Sequence, residues 1–407
     1  MKTKVLNIAD KIKYELGIFA LLLVQALLNF RQLKTMDINF FPYYLSDFSM
    51  AKTSRFFIGT IINWLTDNPN EAWLNNFARI ILFLGLILAA VLIGRVVRSV
   101  DEDKRVPLYA LILFFCTGSF TMHIFSRFFG MMDIYMFGFA AISLAFLNNK
   151  YLRWLVPLLC FAGVMINVVF VFSYFPAVLL VILYLAAFSE KKSGYIVLFC
   201  ITSLSIVALT YYATFAFDGT IAVTYEEMKQ IMETKFGAPL KDSQLEYFTG
   251  YLYGTNTQGE NYVGGNIFEM SPVDILNNLY AYLFSERLSV DSLVTIGVGS
   301  VPIIAVFCGI WISCIRKTKD HGKRFVYFCF MASILCVAVC LFLSTDPIRW
   351  YAAGVMCQFA IAFYMFYIKD EAFGETVESI RKFFEDKKLI FIIIYLAYLF
   401  IRHKELA

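Results

Sequence analysis

The long apolar stretches of this 407-residue chain hold almost no ionisable side chain; Asn167 and Gln358 are the notable polar residues within them. Ion-coupled transporters usually keep charged groups near mid-membrane, so this scarcity counts against transport and favours chemistry at the membrane edge. No internal repeat is visible, which weighs against the inverted-repeat transporter plans. The chain has no basic stripe of the kind nucleic acid needs, and its net charge is only +4, so nucleic acid is set aside as a partner. Cysteine is absent from the hydrophilic stretch after residue 214. Cys116, Cys160, Cys200, Cys308, Cys314, Cys329, Cys336, Cys340 and Cys357 all lie within or beside apolar runs, as small buried hydrophobes do. No pair of them has zinc-ligand spacing in a polar loop. The N-terminus has a basic start, Lys2, Lys4, Lys11 and Lys13, but Ala26-Leu27-Leu28-Asn29-Phe30-Arg31 offers no small-x-small cleavage site. The run before it reads as an uncleaved first helix.

What remains is hydrophobic: 60% of residues, with a mean hydropathy of +0.68, against about 45–50% apolar in a soluble domain. Apolar spans over 14–31, 77–97, 107–125, 134–148, 154–170, 174–188, 195–215, 291–314, 325–343, 349–368 and 389–401 predict an all-α, polytopic transmembrane helical bundle of about ten to twelve spans. The fifth and sixth form one block that breaks at Ser173-Tyr174-Phe175-Pro176, and Pro176 can begin a second helix. Basic clusters at Arg95–Arg105, Lys150–Arg153, Lys191–Lys192 and Arg316–Arg324 place those loops and the N-terminus in the cytoplasm. The last run is short, and counting it as a span would put Arg402, His403 and Lys404 outside, against that rule. The resulting division is 1–215, an N-terminal transmembrane module; 216–290, a small outer cap; and 291–407, a C-terminal transmembrane module with an amphipathic cytoplasmic stretch, Glu371–Lys388.

Acids and bases gather in the loops on the outer side. The first loop, 32–76, holds Asp37, Asp47, Lys52 and Arg55 among aromatics such as Tyr43 and Tyr44; Ile58, Ile61, Ile62 and Leu65 have the spacing of an interfacial helix. The loop between the third and fourth spans holds His123, Arg127 and Asp133, and a late loop holds Asp346, Arg349 and Trp350. Asp47, Asp37 and Asp133 are the catalytic candidates, since a transferase acting on a hydroxyl needs a carboxylate to orient or deprotonate it. Asp47 could instead cap a helix starting near Ser49. Arg127, Arg349, His123 and Arg55 are the candidates for a donor phosphate, which the arginine fork matches. The alternatives are an Arg127–Asp133 pair anchoring the loop, and an interfacial Trp350/Arg349 anchor. Tyr43, Tyr44, Asp346 and Trp350 are the candidates for a sugar or acceptor. No spacing specifies a metal ion, although the acidic outer loops could hold a divalent cation.

The stretch Phe125-Ser126-Arg127-Phe128-Phe129-Gly130-Met131-Met132-Asp133-Ile134-Tyr135, following a large first outer loop that bears an acid, resembles the membrane glycosyltransferases of the GT-C class. Ser344-Thr345-Asp346-Pro347-Ile348-Arg349-Trp350 resembles a segment near the late helices of bacterial surface-polysaccharide membrane proteins, including repeat-unit polymerases. The first loop lacks the paired Asp-Glu of many GT-C members. The resemblance implies a multi-pass protein of a bacterial plasma membrane, with a site on the outer face. It implies a lipid-linked sugar donor on polyprenyl phosphate or diphosphate, a glycan or lipid acceptor and membrane lipids as surroundings; no cofactor is specified beyond the divalent cation that the acidic outer loops could hold. It leaves three functions to separate: transferase, repeat-unit polymerase, and transporter or flippase.

Overall fold

The computed structural model describes residues 12–36, 40–212, 220–241, 245, 290–343 and 347–396. Asp37, Asp346, the Gly250–Gly265 stretch, Asp274–Phe284 and Arg402–Lys404 lie outside the described residues. The apolar runs fold into α1 (Lys13–Leu27), α4 (Glu71–Ser99), α5 (Arg105–Thr117), α7 (Asp133–Phe146), α8 (Val156–Ile166), α10 (Phe175–Phe188), α11 (Lys192–Tyr211), α13 (Val290–Lys317), α14 (His321–Ala332), α15 (Cys336–Leu343) and α16 (Pro347–Tyr367). A helix pairs nearly all backbone donors and acceptors within itself, which is what a hydrocarbon surrounding requires.

Four described segments are long and apolar enough to cross a membrane: Glu71–Ser99, Lys192–Tyr211, His321–Cys340 and Ile348–Tyr367. Four further apolar helices have only 10–17 residues. At ~1.5 Å per residue, the 13 residues of α5 reach ~20 Å, short of a hydrocarbon core of ~30 Å. The apolar run is longer than its helix because 118–122 turn back on themselves inside the protein. There the Thr121 hydroxyl donates to the carbonyls of Phe115 and Gly118, and Thr121 is fully buried. Irregular backbone at membrane depth is tolerated only with such cover.

The 154–188 block splits as its sequence suggests. α8 ends at Ile166, Asn167 accepts the Val169 amide at 3.1 Å, a single turn α9 (Phe170–Ser173) follows, and Pro176 sits in the first turn of α10. The Cys357 thiol donates to the Ser173 carbonyl at 2.9 Å. Since Cys357 lies ten residues into α16, the α8–α10 hairpin stops ~15 Å below the start of that helix. The recess above it is filled by the first loop. This loop contains α2 (Phe41–Leu45), the two-residue strand β1 (Ala51–Lys52), a 3-10 turn (Ser54–Phe56) and α3 (Phe57–Leu65); the turn and α3 rest on α8. α3 turns Ile58 and Ile62 inward and leaves Trp64 80% exposed, as an interfacial helix would. α2 and α3 approach so closely that a Cβ on Gly59 would lie 1.7 Å from the Ser46 carbonyl oxygen.

The described part of the second long loop lies across the first. Strand β2 (Thr220–Ile221) pairs antiparallel with β1, Ala51 opposite Ile221 and Lys52 opposite Thr220. Helix α12 (Tyr225–Phe236) opens with a Thr224/Glu227 capping box and closes at Gly237, whose φ of 75° suits the left-handed cap. Its Met228, Met232 and Phe236 face inward, and Phe236 meets Phe41 with ring centroids 5.0 Å apart.

The opposite end of the bundle carries the basic clusters. There α17 (Glu371–Asp386) buries Ala372, Phe373, Thr376 and Val377 against the bundle. The buried Asp370 caps it by accepting from the Phe373 amide at 2.8 Å, from Tyr327 at 2.7 Å and from Tyr184.

Candidate functional site

The cap end brings two ion pairs together from distant parts of the sequence. Asp133, the first residue of α7, meets Arg349 in the first turn of α16: one guanidinium nitrogen lies 2.5 Å from Asp133 Oδ2, across a separation of 216 residues. The carboxylate side chain is 1% exposed and the guanidinium 16%. Asp133 Oδ1 is buried and receives no hydrogen bond among the described residues, and the neighbouring indole Nε1–H of Trp350 is buried and donates none. Arg349 also lies over the Trp350 ring, 5.0 Å from its centroid. Tyr174, at the start of α10, is within electrostatic reach of both members of the pair. A buried acceptor left unmatched costs about 1–3 kcal/mol, and such an atom in a native fold calls for a water or a ligand donor.

The second pair is Asp47 with Lys235 of α12, 2.5 Å apart, with side chains 5% and 14% exposed. Lys235 also donates to the Leu45 carbonyl at 3.2 Å. The other oxygen of Asp47 accepts the Ser49 amide at 2.8 Å and the Ser49 hydroxyl. Burial pushes the Asp47 carboxyl up, but the bonds from Lys235 and Ser49 outweigh it and hold the group below the usual carboxylate range. The helix expected near Ser49 is instead a turn, and Asp47 closes it through the Ser49 amide; the next α-helix begins at Phe57. Both Asp47 oxygens are therefore engaged, whereas Asp133 keeps one open.

The two pairs are joined by α2 and the 128–132 loop. The Tyr44 hydroxyl donates to the Gly130 carbonyl at 2.7 Å, and Tyr135, two residues after Asp133, lies beside it. Gly130 adopts φ of 95°, and a Cβ there would overlap Met36. Tyr44 is 1% exposed and burial raises its phenol above the ordinary value. It thus packs the loop rather than offering the open face that sugar stacking would need. Tyr43 receives an Arg55 N–H at 3.5 Å at the edge of the same loop.

α6 (His123–Arg127) holds the remaining candidates. The Asn29 amide donates to His123 Nδ1 at 2.6 Å and to Ser126 Oγ at 2.8 Å, tying the end of α1 to this turn. His123 is 4% exposed and sits in that structural knot. Arg127 rests its guanidinium over Phe128, 5.6 Å from the ring centroid. The partner that Asp133 takes is Arg349 rather than the sequence-adjacent Arg127.

Sequence reading missed Lys235. Its signal was present: the capping box at Thr224 and the glycine at 237 delimit a helix, and the apolar spacing of Met228, Met232 and Phe236 sets the face beside Lys235. Among the described residues no group of three or more His, Cys, Asp or Glu side chains is placed to hold a metal. Comparison of the chain with protein-family models, curated proteins and solved structures finds no match.

Proposed function

We propose that this protein is a GT-C-like membrane glycosyltransferase that moves a sugar from a polyprenyl-phosphate-linked donor to an acceptor at the outer membrane face. The observation that carries the reading is the buried Asp133–Arg349 pair with Asp133 Oδ1 left open. A carboxylate oxygen awaiting a donor, beside a guanidinium at the first turn of a 21-residue helix, suits a hydroxyl acceptor and a phosphate leaving group together.

In this reading the acceptor oxygen attacks the anomeric carbon as the bond to the donor phosphate oxygen breaks. Asp133 takes the hydroxyl proton, and Arg349 stabilises the charge that develops on the phosphate. An inverting transfer of this kind needs one base. Asp47, engaged by Lys235 and Ser49, serves as a latch that holds α12 over the site. Arg127 stands at the loop margin as a second contact for the donor phosphate. The lipid tail stays in the bilayer between helices while its phosphate reaches the pair.

The repeat-unit polymerase shares this chemistry and handles a longer acceptor. The engagement of Asp47 favours giving it some weight, because such enzymes lean on outer-loop arginines rather than on a first-loop acid.

The test is sugar transfer by the full chain in lipid vesicles, using radiolabelled polyprenyl-phosphate and polyprenyl-diphosphate sugars with and without oligosaccharide acceptors. The proposal expects product from at least one donor, and Arg349→Lys should raise the donor KM about tenfold because a lysine lacks the planar fork. Elongation of one acceptor through many repeats would assign the polymerase. Absence of transfer from every donor, with lipid-phosphate movement across the vesicle instead, would overturn the transferase reading.

A further inference from the structure

A cavity of about 120 Å³ lies between α4, α7 and α16, toward the basic end of the bundle and away from the Asp133–Arg349 pair. Its floor is Phe115 and Phe137, and alanines at positions 89, 141, 145 and 360 leave the space that larger side chains would fill. At its other end stand Arg95, Asn148, Tyr364 and Tyr367, three of which are exposed. The apolar lining of the interior suits an apolar guest. The mouth is of a different character. Arg95 is exposed and forms no ion pair among the described residues, whereas Arg98, one turn on, is paired with Glu15. Tyr364 is 6% exposed, and its buried hydroxyl lies within hydrogen-bonding reach of the Asn148 side chain at the rim. A second cation stands by the same rim: Arg153 lies over Tyr195, 5.0 Å from the ring, and the Tyr195 hydroxyl donates to the Leu147 carbonyl beside Asn148.

We infer that this cavity is a binding site for an anionic phospholipid, with an acyl chain in the apolar interior and the phosphate at Arg95. Neither half of the site explains the other unless the ligand is amphipathic. A free anion leaves the alanine-lined interior empty, and a neutral apolar molecule makes no use of the charge on Arg95. The charge complementarity at Arg95 selects an anionic headgroup over a zwitterionic one. The inference is independent of the transferase reading, because it concerns the other end of the bundle and needs no reaction.

The experiment is photolabelling of the full chain in mixed vesicles with phosphatidylglycerol or phosphatidylcholine carrying a diazirine in the acyl chain, followed by mapping of adducts by mass spectrometry. Wild type should take adducts within 134–148 and 352–367, about fivefold more from phosphatidylglycerol than from phosphatidylcholine at equal mole fraction. Arg95→Gln, a change at an exposed position, should erase that preference while leaving chain labelling by phosphatidylcholine in place. Ala145→Leu, which fills the interior, should cut labelling of these segments severalfold for both lipids. Equal labelling by the two lipids in wild type would overturn the proposal. So would labelling of these segments that is unmoved by Ala145→Leu.

Discussion

Single side chains decide whether the interior of this protein is stable or reactive. Gln358, one of the few polar groups within the apolar runs, is fully used. Its amide nitrogen donates to the Phe330 carbonyl and the Ser333 hydroxyl, both at 2.9 Å, and its oxygen accepts from Trp311 Nε1 at 2.7 Å. Gln358→Leu should therefore lower stability by about 2–3 kcal/mol, read as detergent-solubilised unfolding, because it takes the partner from one buried donor, the Trp311 N–H, and from two acceptors. Trp311→Phe in that background should recover part of the loss by removing one stranded N–H. Asp133 is the opposite case, a buried carboxylate with one oxygen unmatched, and the account gives it the chemistry. Asp47 has both oxygens matched and a carboxyl held below its ordinary value of 3.8. Since its folded value is the lower one, the latch contributes its full stabilisation above about pH 4 and loses it as pH falls through the folded value. Hydrogen exchange of residues 225–236, corrected for intrinsic rates, should accordingly be slow and flat from pH 5 to 7 and rise below pH 4. Lys235→Met should produce the fast exchange already at pH 7.

At the scale of elements, the short α8–α10 hairpin makes the recess, and the first loop fills it. The close contact of Gly59 with the Ser46 carbonyl fixes that filling, so Gly59→Ala should displace α3 or the 46–50 turn. The expected result is loss of the Asp47–Lys235 latch, seen as faster exchange of 225–236, with the long helices retained. Much of this level was legible in the sequence. The apolar runs marked the helices, Pro176 marked the break in the block of the fifth and sixth spans, and the spacing of Ile58 and Ile62 marked α3 and its buried face. The extent of the helices was not legible from the apolar runs alone: the 107–125 run is broken at Gly118-Ser119, and 118–122 form a buried turn. Nor were the partnerships. Asp133 and Arg349 were each picked out as charged groups at a helix end, but nothing local specifies that residues 216 apart will meet. The β1–β2 pairing rests on two residues per strand, too few for any alternation of apolar and polar side chains to register.

Over the whole molecule, the charged groups are divided between the two ends. The cap end gathers the charged pairs beneath a first loop that is itself held down by α12. The basic end holds the cavity between α4, α7 and α16 and the Asp370 knot. The apolar middle joins them and carries few groups that could move an ion, which is why chemistry at one end is preferred over transport through the centre. The central claim is that Asp133, and not Asp47, performs the acid–base step. Single-turnover sugar transfer in lipid vesicles, comparing Asp133→Asn with Asp47→Asn at equal amounts of folded protein, tests it most directly. The account predicts that Asp133→Asn lowers the rate by roughly 10²–10⁴-fold, while Asp47→Asn retains transfer within about tenfold of wild type. Transfer that survives Asp133→Asn and disappears in Asp47→Asn would contradict it.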